Sequence, residues 1–300
     1  MEDGEGGLET MQISRSIGTH DGSFHADEVT ACALLILFDL VDEEKIVRSR
    51  DPKKLAKCEY VCDVGGIYSL EEKRFDHHQA SYIGPWSSAG MVLHYLKKKG
   101  YIDDEEYHFL NNTLVHGVDE QDNGRFFSKE GFCSFSDIIK IYNPREEEEK
   151  STDADFSFAL HFTIDFLRRL RKKFYYDRIC RDIVKKVMDS EDLCLYFNRP
   201  LAWQENFFFL GGEQHPAAFV CFPSCDQWIL RGIPPSLERR MEVRIPFPED
   251  WAGLLGKELS SISGIPDAVF CHKGRFLSVW RSRESCQRAL QLTLENQGLL

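Results

Sequence analysis

Imidazole and carboxylate side chains are concentrated in four short segments of the N-terminal half of the sequence. These segments begin at His20, Asp63, Asp76 and Asp119. The first three follow stretches typical of β-strands, and the fourth follows a stretch typical of a helix. Ligands bind beyond the carboxyl ends of the strands in open α/β sheets, so we expect these segments to meet at one site. A single residue of this kind is more often a helix or turn cap, and the prediction depends on the combination.

The side chains in these segments suit divalent metal ions. Several carboxylates brought together would repel one another unless a cation lay between them. Oxygen and imidazole ligands favour Mg²⁺, Mn²⁺ or Fe²⁺, and the segments contain no cysteine, which argues against structural zinc. The ligands are too many for one ion, whereas two ions about 3.5–4 Å apart would use them. The sequence therefore predicts a two-metal hydrolytic centre.

The composition is that of a globular protein, with 42% hydrophobic and 29% charged residues among 300. The formal net charge of −12 argues against binding of nucleic acid through overall charge. It does not exclude a local basic surface or an acidic cleft filled by metal ions. On balance, the charge predicts a weak and salt-sensitive grip on long nucleic acid and better handling of short pieces.

The sequence lacks the features of exported and membrane proteins. Its first residues are acidic, with no basic segment followed by an apolar one, and no run approaches the ~18 apolar residues of a membrane span. Ten scattered cysteines fit reduced thiols, so we expect a cytoplasmic protein. One alternative is a zinc site at Cys221 and Cys225 with His215, Cys271 and His272, although this spacing matches none of the usual zinc patterns.

Short strands alternate with a helix at the start of the chain. Strands are predicted at 13–19, 46–50, 59–64 and 74–76, and an apolar helix is predicted at 26–40. This alternation predicts an α/β domain with a mainly parallel sheet flanked by helices. Helices then dominate, and the predicted segments are 87–99, 103–118, 135–142 and 153–190.

The C-terminal part consists of short apolar runs separated by proline, glycine and asparagine. The predicted strands are 193–197, 207–210, 217–222, 228–231, 268–271 and 276–280. Helices are predicted around 251–261 and from Glu284 onward. We therefore expect three regions: a metal-binding catalytic domain over 1–150, a helical connector over 151–190, and a smaller α+β substrate-binding domain over 191–300.

Six motifs follow one another in the N-terminal half. They are His20-x-Gly-x-Phe-His25-x-Asp27-Glu28, Arg48-Ser-Arg50-Asp51-Pro52, Asp63-Val-Gly-Gly66, Arg74-Phe-Asp76-His77-His78-Gln79, Ser87-Ser-Ala-Gly90 and Asp119-x-x-Asp122-Asn-Gly124. The Asp-His-His tripeptide resembles the signature of the DHH phosphoesterase superfamily. The ordered set resembles one branch of it, the melanocyte-proliferating-gene-type exonuclease family. With further motifs in the C-terminal half, the resemblance covers nearly the whole chain, about residues 13–298.

The resemblance implies a role for each member of these motifs. Six residues match the metal ligands of the family: His20, His25, Asp27, Asp63, His77 and Asp119. Asp63 would be the bridging carboxylate, and Asp122 competes with Asp119 as the last ligand. His25 stands where relatives usually carry Asp, and its nitrogen shifts the metal preference from Mg²⁺ toward Mn²⁺. Of the catalytic pair, His78 would face the phosphate and Asp76 would orient His77.

One C-terminal segment departs from the pattern of the family. Relatives often carry paired glycines that let the backbone approach a phosphate, whereas this chain has Phe-Leu-Ser-Val-Trp at 276–280, which makes close approach harder. The nearby cations Lys273, Arg275 and Arg281 are therefore the candidates for substrate binding. Nine Lys and Arg side chains between 168 and 186 could also hold a strand, or could only cover an exposed helix.

These observations predict a metal-dependent phosphodiesterase that uses two divalent ions, Mn²⁺ in preference to Mg²⁺, and an activated water. The resemblance specifies a 3′-to-5′ exonuclease acting on RNA or short oligonucleotides, because the residues alone carry no information on direction. Two alternatives stay open at this point. The chain could be a phosphatase or pyrophosphatase for small substrates, or an inactive binding protein stabilised by metal. The sequence makes no prediction of oligomeric state.

Overall fold

The computed structural model describes residues 12–126, 129–144 and 153–299, and it divides the chain into two units. Unit 1 is Met1–Phe174 and unit 2 is Tyr175–Leu300. Two acidic segments of the sequence, residues 1–11 and the run of four glutamates at 146–149, lie outside the described residues.

Unit 1 contains a five-stranded sheet in the order β2-β1-β3-β5-β4. The strands are β1 (Ile13–Thr19), β2 (Ile46–Arg48), β3 (Cys58–Cys62), β4 (Tyr68–Ser69) and β5 (Arg74–Phe75). All neighbouring pairs are parallel except β4 with β5. The prediction of a mainly parallel sheet is confirmed. Because β1, β3 and β5 are adjacent and parallel, the residues that follow them emerge at one edge of the sheet.

Helices cover this sheet and carry most of its core. They are α1 (Ala26–Leu37), α2 (Pro52–Leu55), α3 (Ser88–Lys98), α4 (Asp104–Leu110), α5 (His116–Asp122) and α6 (Phe135–Lys140). A π-helical turn over Asn111–Val115 joins α4 to α5. The main hydrophobic core includes Val29, Leu34, Met91 and Leu96, so α1 and α3 pack against each other and the sheet. The strands of unit 1 and the helices that cover them therefore share one buried core.

A long helix, α7 (Asp153–Met188), begins in unit 1 and continues into unit 2. It corresponds to the segment predicted at 153–190. Two of its basic residues are paired: Arg171 Nε lies 2.6 Å from Glu106 Oε1 of α4, and Arg169 Nε lies 2.7 Å from Asp165 Oδ2 on the exposed surface of α7 itself. Among the residues described, no helix has both the length and the apolar character needed to cross a membrane.

Unit 2 contains a second five-stranded sheet in the order β6-β7-β8-β10-β9. The strands are β6 (Cys194–Tyr196), β7 (Phe219–Ser224), β8 (Gln227–Gly232), β9 (Ala268–Cys271) and β10 (Leu277–Trp280). Only β6 and β7 pair in parallel. The helices of this unit are α8 (Gln204–Phe209), α9 (Gly256–Ser263) and α10 (Arg283–Asn296). Buried Trp280, Phe219 and Phe247 form part of its core, which confirms the prediction of a second, smaller unit with its own sheet.

The strand predicted at 207–210 is wrong, because this segment ends helix α8. Trp203 and Phe207 are both buried and lie four residues apart, whereas Phe209 is 65% exposed. That spacing is the helical period, and a short apolar run does not distinguish helix from strand by itself. Asn206 also stabilises the helix, because its Nδ2 donates to the carbonyl oxygen of Ala202 at 2.8 Å.

Candidate metal centre

The imidazole of His20, in the loop after β1, lies next to the carboxylate of Glu28, in the first turn of α1. His25 is the N-cap of α1, and its backbone N–H donates to both oxygens of Glu28 at 2.9 and 3.0 Å. This pairing of the N-cap residue with the acid three residues later is a capping box, and it fixes Glu28 in a buried position at the first turn of α1. His20 Nδ1 donates to the carbonyl oxygen of Asp21 at 3.1 Å, and its Nε2 lies 3.1 Å from Glu28 Oε1. The protonated Nδ1 therefore leaves Nε2 as the ligand atom.

Asp63 lies between two imidazoles directly after β3. Its backbone has a φ of 56°, in the left-handed region that Asp tolerates better than most residues. Its Oδ2 lies 3.1 Å from His20 Nε2, and its Oδ1 lies 3.4 Å from His77 Nε2. One buried carboxylate thus offers a separate oxygen to each of two neighbouring ligand groups. This is the geometry that a bridging carboxylate requires.

His77 joins the loop after β5 to carboxylates on two helices. Its Nε2 lies 3.1 Å from Asp122 Oδ2 and 4.0 Å from Asp27 Oδ2. Asp27 is fully buried in the first turn of α1, and Asp122 is the last residue of α5. Residues from four separate segments therefore meet at the sheet edge, as the sequence predicted.

Asp76 positions His78. Its Oδ1 accepts from the backbone N–H of His78 at 3.1 Å and from His78 Nδ1 at 2.8 Å, while its Oδ2 accepts from Gly66 N–H at 2.6 Å. The sequence predicts that Asp76 orients His77 instead. The hydrogen bonds assign Asp76 to His78, because its Oδ1 accepts from both the backbone and the ring of that residue. The side chain of His78 is 63% exposed, so its other nitrogen can meet a ligand.

The charges of the centre show that a cation fits it. Burial alone would lower the pKa of His20 and of His77, but hydrogen bonds from these imidazoles to carboxylates raise both to about 10. Burial opposes ionisation of Asp63, but hydrogen bonds from His20 and His77 outweigh it and lower its pKa to about 2. Burial and then the charges of Asp63, Glu28 and Asp122 raise the pKa of Asp27 well above its usual range. The protonated imidazoles of His20 and His77 thus supply the positive charge that the surrounding carboxylates require, and bound cations could supply it instead.

Both oxygens of the buried Asp27 carboxylate lack hydrogen-bond partners among the described residues. An unpaired buried polar atom costs about 1–3 kcal/mol, and a charged one costs more. The centre contains three sets of side chains with metal-ligand spacing: His20, His25, Glu28 and Asp63; Asp63, His77 and His78; and His25, Asp27 and Asp122. The donor set therefore fits divalent cations.

Asp119 lies outside these three sets, although the sequence placed it among the ligands. Its Oδ1 accepts from Ser87 N–H at 3.0 Å, Ser87 Oγ at 2.6 Å and Gly90 N–H at 3.0 Å. Burial raises the pKa of Asp119 to about 6 against the opposing effect of these hydrogen bonds. Asp119 thus binds the N-terminal turn of α3, while Asp122, one turn further along α5, reaches the centre.

Replacing Gly90 by Ala should destabilise the protein. A Cβ at Gly90 would lie 2.2 Å from Asp119 Oδ2 and 2.8 Å from Trp86 Cδ1. Overpacking and loss of the hydrogen bonds to Asp119 should lower the free energy of unfolding by about 2–4 kcal/mol, measured by denaturant titration. Gly117→Ala is the matched control, since Gly117 is helical and a Cβ there meets no described atom within 4 Å. Equal stability of the two variants would contradict this packing role.

Several predicted residues lie in unit 2 and are described within that unit alone. Lys273 and Arg275 lie between β9 and β10, where Arg275 Nη1 is 3.4 Å from the carbonyl oxygen of Phe247. Arg281 follows β10 and is exposed. Their role in substrate binding stays a prediction. The alternative zinc site does not assemble in the described chain, because Cys221 Sγ faces Cys286 Sγ at 2.9 Å and Cys225 is exposed.

Glu28 is the main site residue that the sequence analysis left out of the ligand set. It stands three residues after the N-cap His25, in the position of a capping-box acid, and this could have signalled its inward direction. Arg50, Gln121 and Lys140 were also not assigned to the site. The structure places them in cavities beside the centre.

Comparisons with known proteins identify similar sequences along nearly the whole chain. The model of the family MYG1_exonuc, described as "Uncharacterised protein family (UPF0160)", matches residues 16–294. The MYG1 protein of Chlamydia pneumoniae is 83% identical over 290 residues, which cover 97% of this chain and 100% of that protein. The MYG1 exonuclease of Mus musculus is 32% identical, covering 93% of this chain and 84% of that protein. The MYG1 exonuclease of Homo sapiens is 30% identical, covering 95% and 87%.

Proposed function

Because this chain belongs to the MYG1 exonuclease family, we propose that it is a metal-dependent exonuclease that hydrolyses phosphodiester bonds. The observation that carries this proposal is the Asp63 carboxylate, which directs one oxygen to His20 and the other to His77. The unpartnered oxygens of Asp27 beside it support the same conclusion. A site of this kind suits an anionic phosphate ester once cations neutralise its carboxylates.

We assign the ligands to two adjacent positions. His20, Glu28 and Asp63 Oδ2 would hold one ion. The second position would consist of Asp27, His77, Asp122 and Asp63 Oδ1, and the exposed His25 belongs to both neighbouring sets. The imidazoles favour Mn²⁺ over Mg²⁺. Placement in the DHH superfamily is part of the same proposal.

When bound, the ions neutralise charge on the phosphate and increase the acidity of a coordinated water. The chain's own side chains hold the phosphate ester and orient it for hydrolysis. Asp76 accepts from His78 Nδ1 and so fixes the ring, and the opposite nitrogen of the imidazolium form donates to a phosphate oxygen as negative charge develops there. The 3′-to-5′ direction and the RNA or short oligonucleotide substrate follow from the family resemblance and belong to this proposal. The cytoplasmic location expected from the sequence stays a prediction.

The test uses RNA and DNA oligonucleotides labelled at the 3′ or the 5′ end, together with pyrophosphate, in the presence of Mn²⁺ or Mg²⁺. We expect metal-dependent release of mononucleotides and a 5′-labelled ladder that shortens from the 3′ end. Absence of cleavage in every substrate while metal is bound would contradict the enzyme assignment. Cleavage of pyrophosphate alone would favour the small-substrate alternative.

Replacing His78 by Asn should lower kcat by about 10²- to 10³-fold, the usual cost of removing one hydrogen-bond donor to a developing negative charge. Asp76→Asn should have a smaller effect, about 10- to 100-fold, because it only loosens the orientation of His78. Metal content, measured by mass spectrometry of the purified variants, should not change in either. A loss of metal in His78→Asn would show that His78 is a ligand and not a contact of the phosphate.

Metal binding should release protons. The pKa of His20 and of His77 is about 10 in the metal-free chain, so both imidazoles are protonated near neutral pH. We expect at least two protons to leave when Mn²⁺ binds at about pH 8, because the Asp27 carboxyl, whose pKa is also raised, would add to the two from the imidazoles, and we expect the affinity to rise with pH until the imidazoles are neutral near 10. Calorimetric titration in buffers with different heats of ionisation measures the number. Binding without net proton release in all buffers would contradict ligation by these imidazoles.

A further inference from the structure

Two cavities open on either side of the metal centre in unit 1. The larger has a volume of about 650 Å³, and the smaller has a volume of about 470 Å³. Both are lined by His25, Asp63 and His78, so both cavities border the same cluster of candidate metal ligands. An exonuclease needs this asymmetry, because the strand must continue on one side while the terminal nucleotide occupies the other. Because the strand is a chain of anionic phosphates, we compare the cationic side chains that line the two cavities to decide which one holds it.

We propose that Arg50 binds the backbone phosphate next to the one being cleaved, so that the strand continues through the larger cavity. This inference rests on the proposed function and names its substrate class, a strand with at least one further phosphate. Arg50 lines this cavity together with His20 and His78. A planar guanidinium binds two oxygens of a phosphate at once, which a lysine cannot do.

The structure distinguishes Arg50 from Arg48 in the same motif. The side chain of Arg48 is only 4% exposed; it donates to the carbonyl oxygen of Gly22, pairs with Asp153 at 3.1 Å, and lies over the ring of Phe156. Arg48 therefore holds the loop that carries His20. Side chains two residues apart usually lie on the same side of an extended segment, but β2 ends at Arg48 and helix α2 begins at Pro52, so Arg50 lies in the connection between them. Arg50 consequently lies in the wall of the larger cavity with 65% of its side chain exposed.

Arg50 is held near the centre without being neutralised there. Its Nε lies 3.5 Å from Asp21 Oδ1, and the side chains of both residues are more than half exposed. An exposed ion pair at this distance contributes little to stability, so a phosphate can compete with Asp21 for the guanidinium. Asp21 directly follows His20, which keeps the guanidinium beside the metal centre. The pair thus positions Arg50 until a phosphate replaces the carboxylate.

The smaller cavity is suited to the departing nucleotide. Its cation is Lys140, at the C-terminal end of α6, and its wall also contains Asp27, His77 and Asp122. Five of the assigned ligands line this cavity, against three in the larger one, which leaves less of its wall for a continuing chain of phosphates. Gln121 in the same wall is already engaged, because its Nε2 donates to Asp137 Oδ1 at 3.0 Å.

The test compares a dinucleotide and a trinucleotide without terminal phosphates. The dinucleotide then has one phosphate, the one that is cleaved, and the trinucleotide has two. We expect wild-type kcat/KM to be about 10- to 100-fold higher for the trinucleotide, the value of one charged phosphate contact. Arg50→Ala should remove this preference while cleaving the dinucleotide at nearly the wild-type rate, and Arg50→Lys should restore part of it. On longer single strands, Arg50→Ala should reduce the slope of log kcat/KM against log salt by about 0.7.

Two further variants make the result decisive. Lys53→Ala removes an equal charge from exposed α2, outside the described lining of both cavities, and should leave the preference unchanged. Lys140→Ala should also preserve it. If Lys140→Ala abolishes the preference and Arg50→Ala does not, the strand runs through the smaller cavity and the proposal is wrong. If Arg50→Ala lowers kcat/KM equally for both substrates, Arg50 acts on the phosphate being cleaved, which both share, and the proposal is wrong. If wild type cleaves neither substrate with metal bound, the proposed function itself fails.

Discussion

Replacing Asp63 by Asn should reduce kcat/KM by about 10³- to 10⁵-fold, the equivalent of several kcal/mol of lost electrostatic stabilisation. Asn keeps the shape and the left-handed backbone of Asp63 but removes the negative charge, and its amide nitrogen cannot bind a cation. Because the two oxygens of Asp63 face His20 and His77 separately, both metal positions should weaken together. Metal content by mass spectrometry should fall along with nuclease activity on a labelled oligonucleotide.

The matched control is Asp39→Asn. Asp39 has the same left-handed backbone, with a φ of 58°, but its side chain is 91% exposed and pairs with Arg15 on the surface. Loss of such a pair costs at most about 1 kcal/mol and should leave activity unchanged. If Asp63→Asn retained both metal content and activity, Asp63 would not be the bridging carboxylate.

The position of the centre follows from properties that one sequence already contains. Three polar segments come directly after β1, β3 and β5, and these strands are adjacent and parallel. Parallel strands present the same end at the same edge, so the order of segments along the chain was enough to predict that His20, Asp63 and His77 would converge. The net charge of −12 carried less information, since acidic groups inside the centre count toward it equally with those on the surface.

The choice between neighbouring residues depends on tertiary contacts that the sequence does not reveal. Asp119 and Asp122 lie one helical turn apart on α5, and either could reach a metal by its spacing. The start of α3 decides between them, because Ser87 and Gly90 present N–H groups to Asp119. The same holds for Asp76, whose carboxylate accepts from the backbone and the ring of His78 and not from His77.

Buried polar atoms without hydrogen-bond partners are the feature that links the residues of the centre to metal binding. Most buried polar atoms in folded proteins are hydrogen-bonded, and each exception requires an explanation. Asp27 has two such oxygens in the described chain, beside Asp63 and Asp122. A folded chain tolerates this repulsion at a cost in stability, and divalent cations would remove it. The centre is therefore destabilising without metal and should become stabilising when metal binds.

Replacing Asp122 by Asn should lower kcat/KM by about 10³-fold or more and remove one of two bound ions, because the second metal position loses a charged ligand. Asp119→Asn should retain the metal content and keep activity within about tenfold of wild type, since Asn still accepts hydrogen bonds through Oδ1. Its main effect should be a loss of about 1 kcal/mol of stability, from weaker bonds to Ser87 and Gly90. Metal content, denaturant titration and steady-state kinetics on one oligonucleotide measure all three quantities.

The two variants are chemically identical changes one turn apart on the same helix, so helix propensity and overall charge change equally in both. Only the surroundings differ: Asp122 Oδ2 lies 3.1 Å from His77 Nε2, whereas Asp119 Oδ1 accepts three hydrogen bonds at α3. A severe loss of metal in Asp119→Asn with a mild effect of Asp122→Asn would reverse the assignment and restore Asp119 as the last ligand. If both lost metal equally, α5 would contribute two ligands, and the centre would have to rearrange on binding to bring Asp119 away from α3.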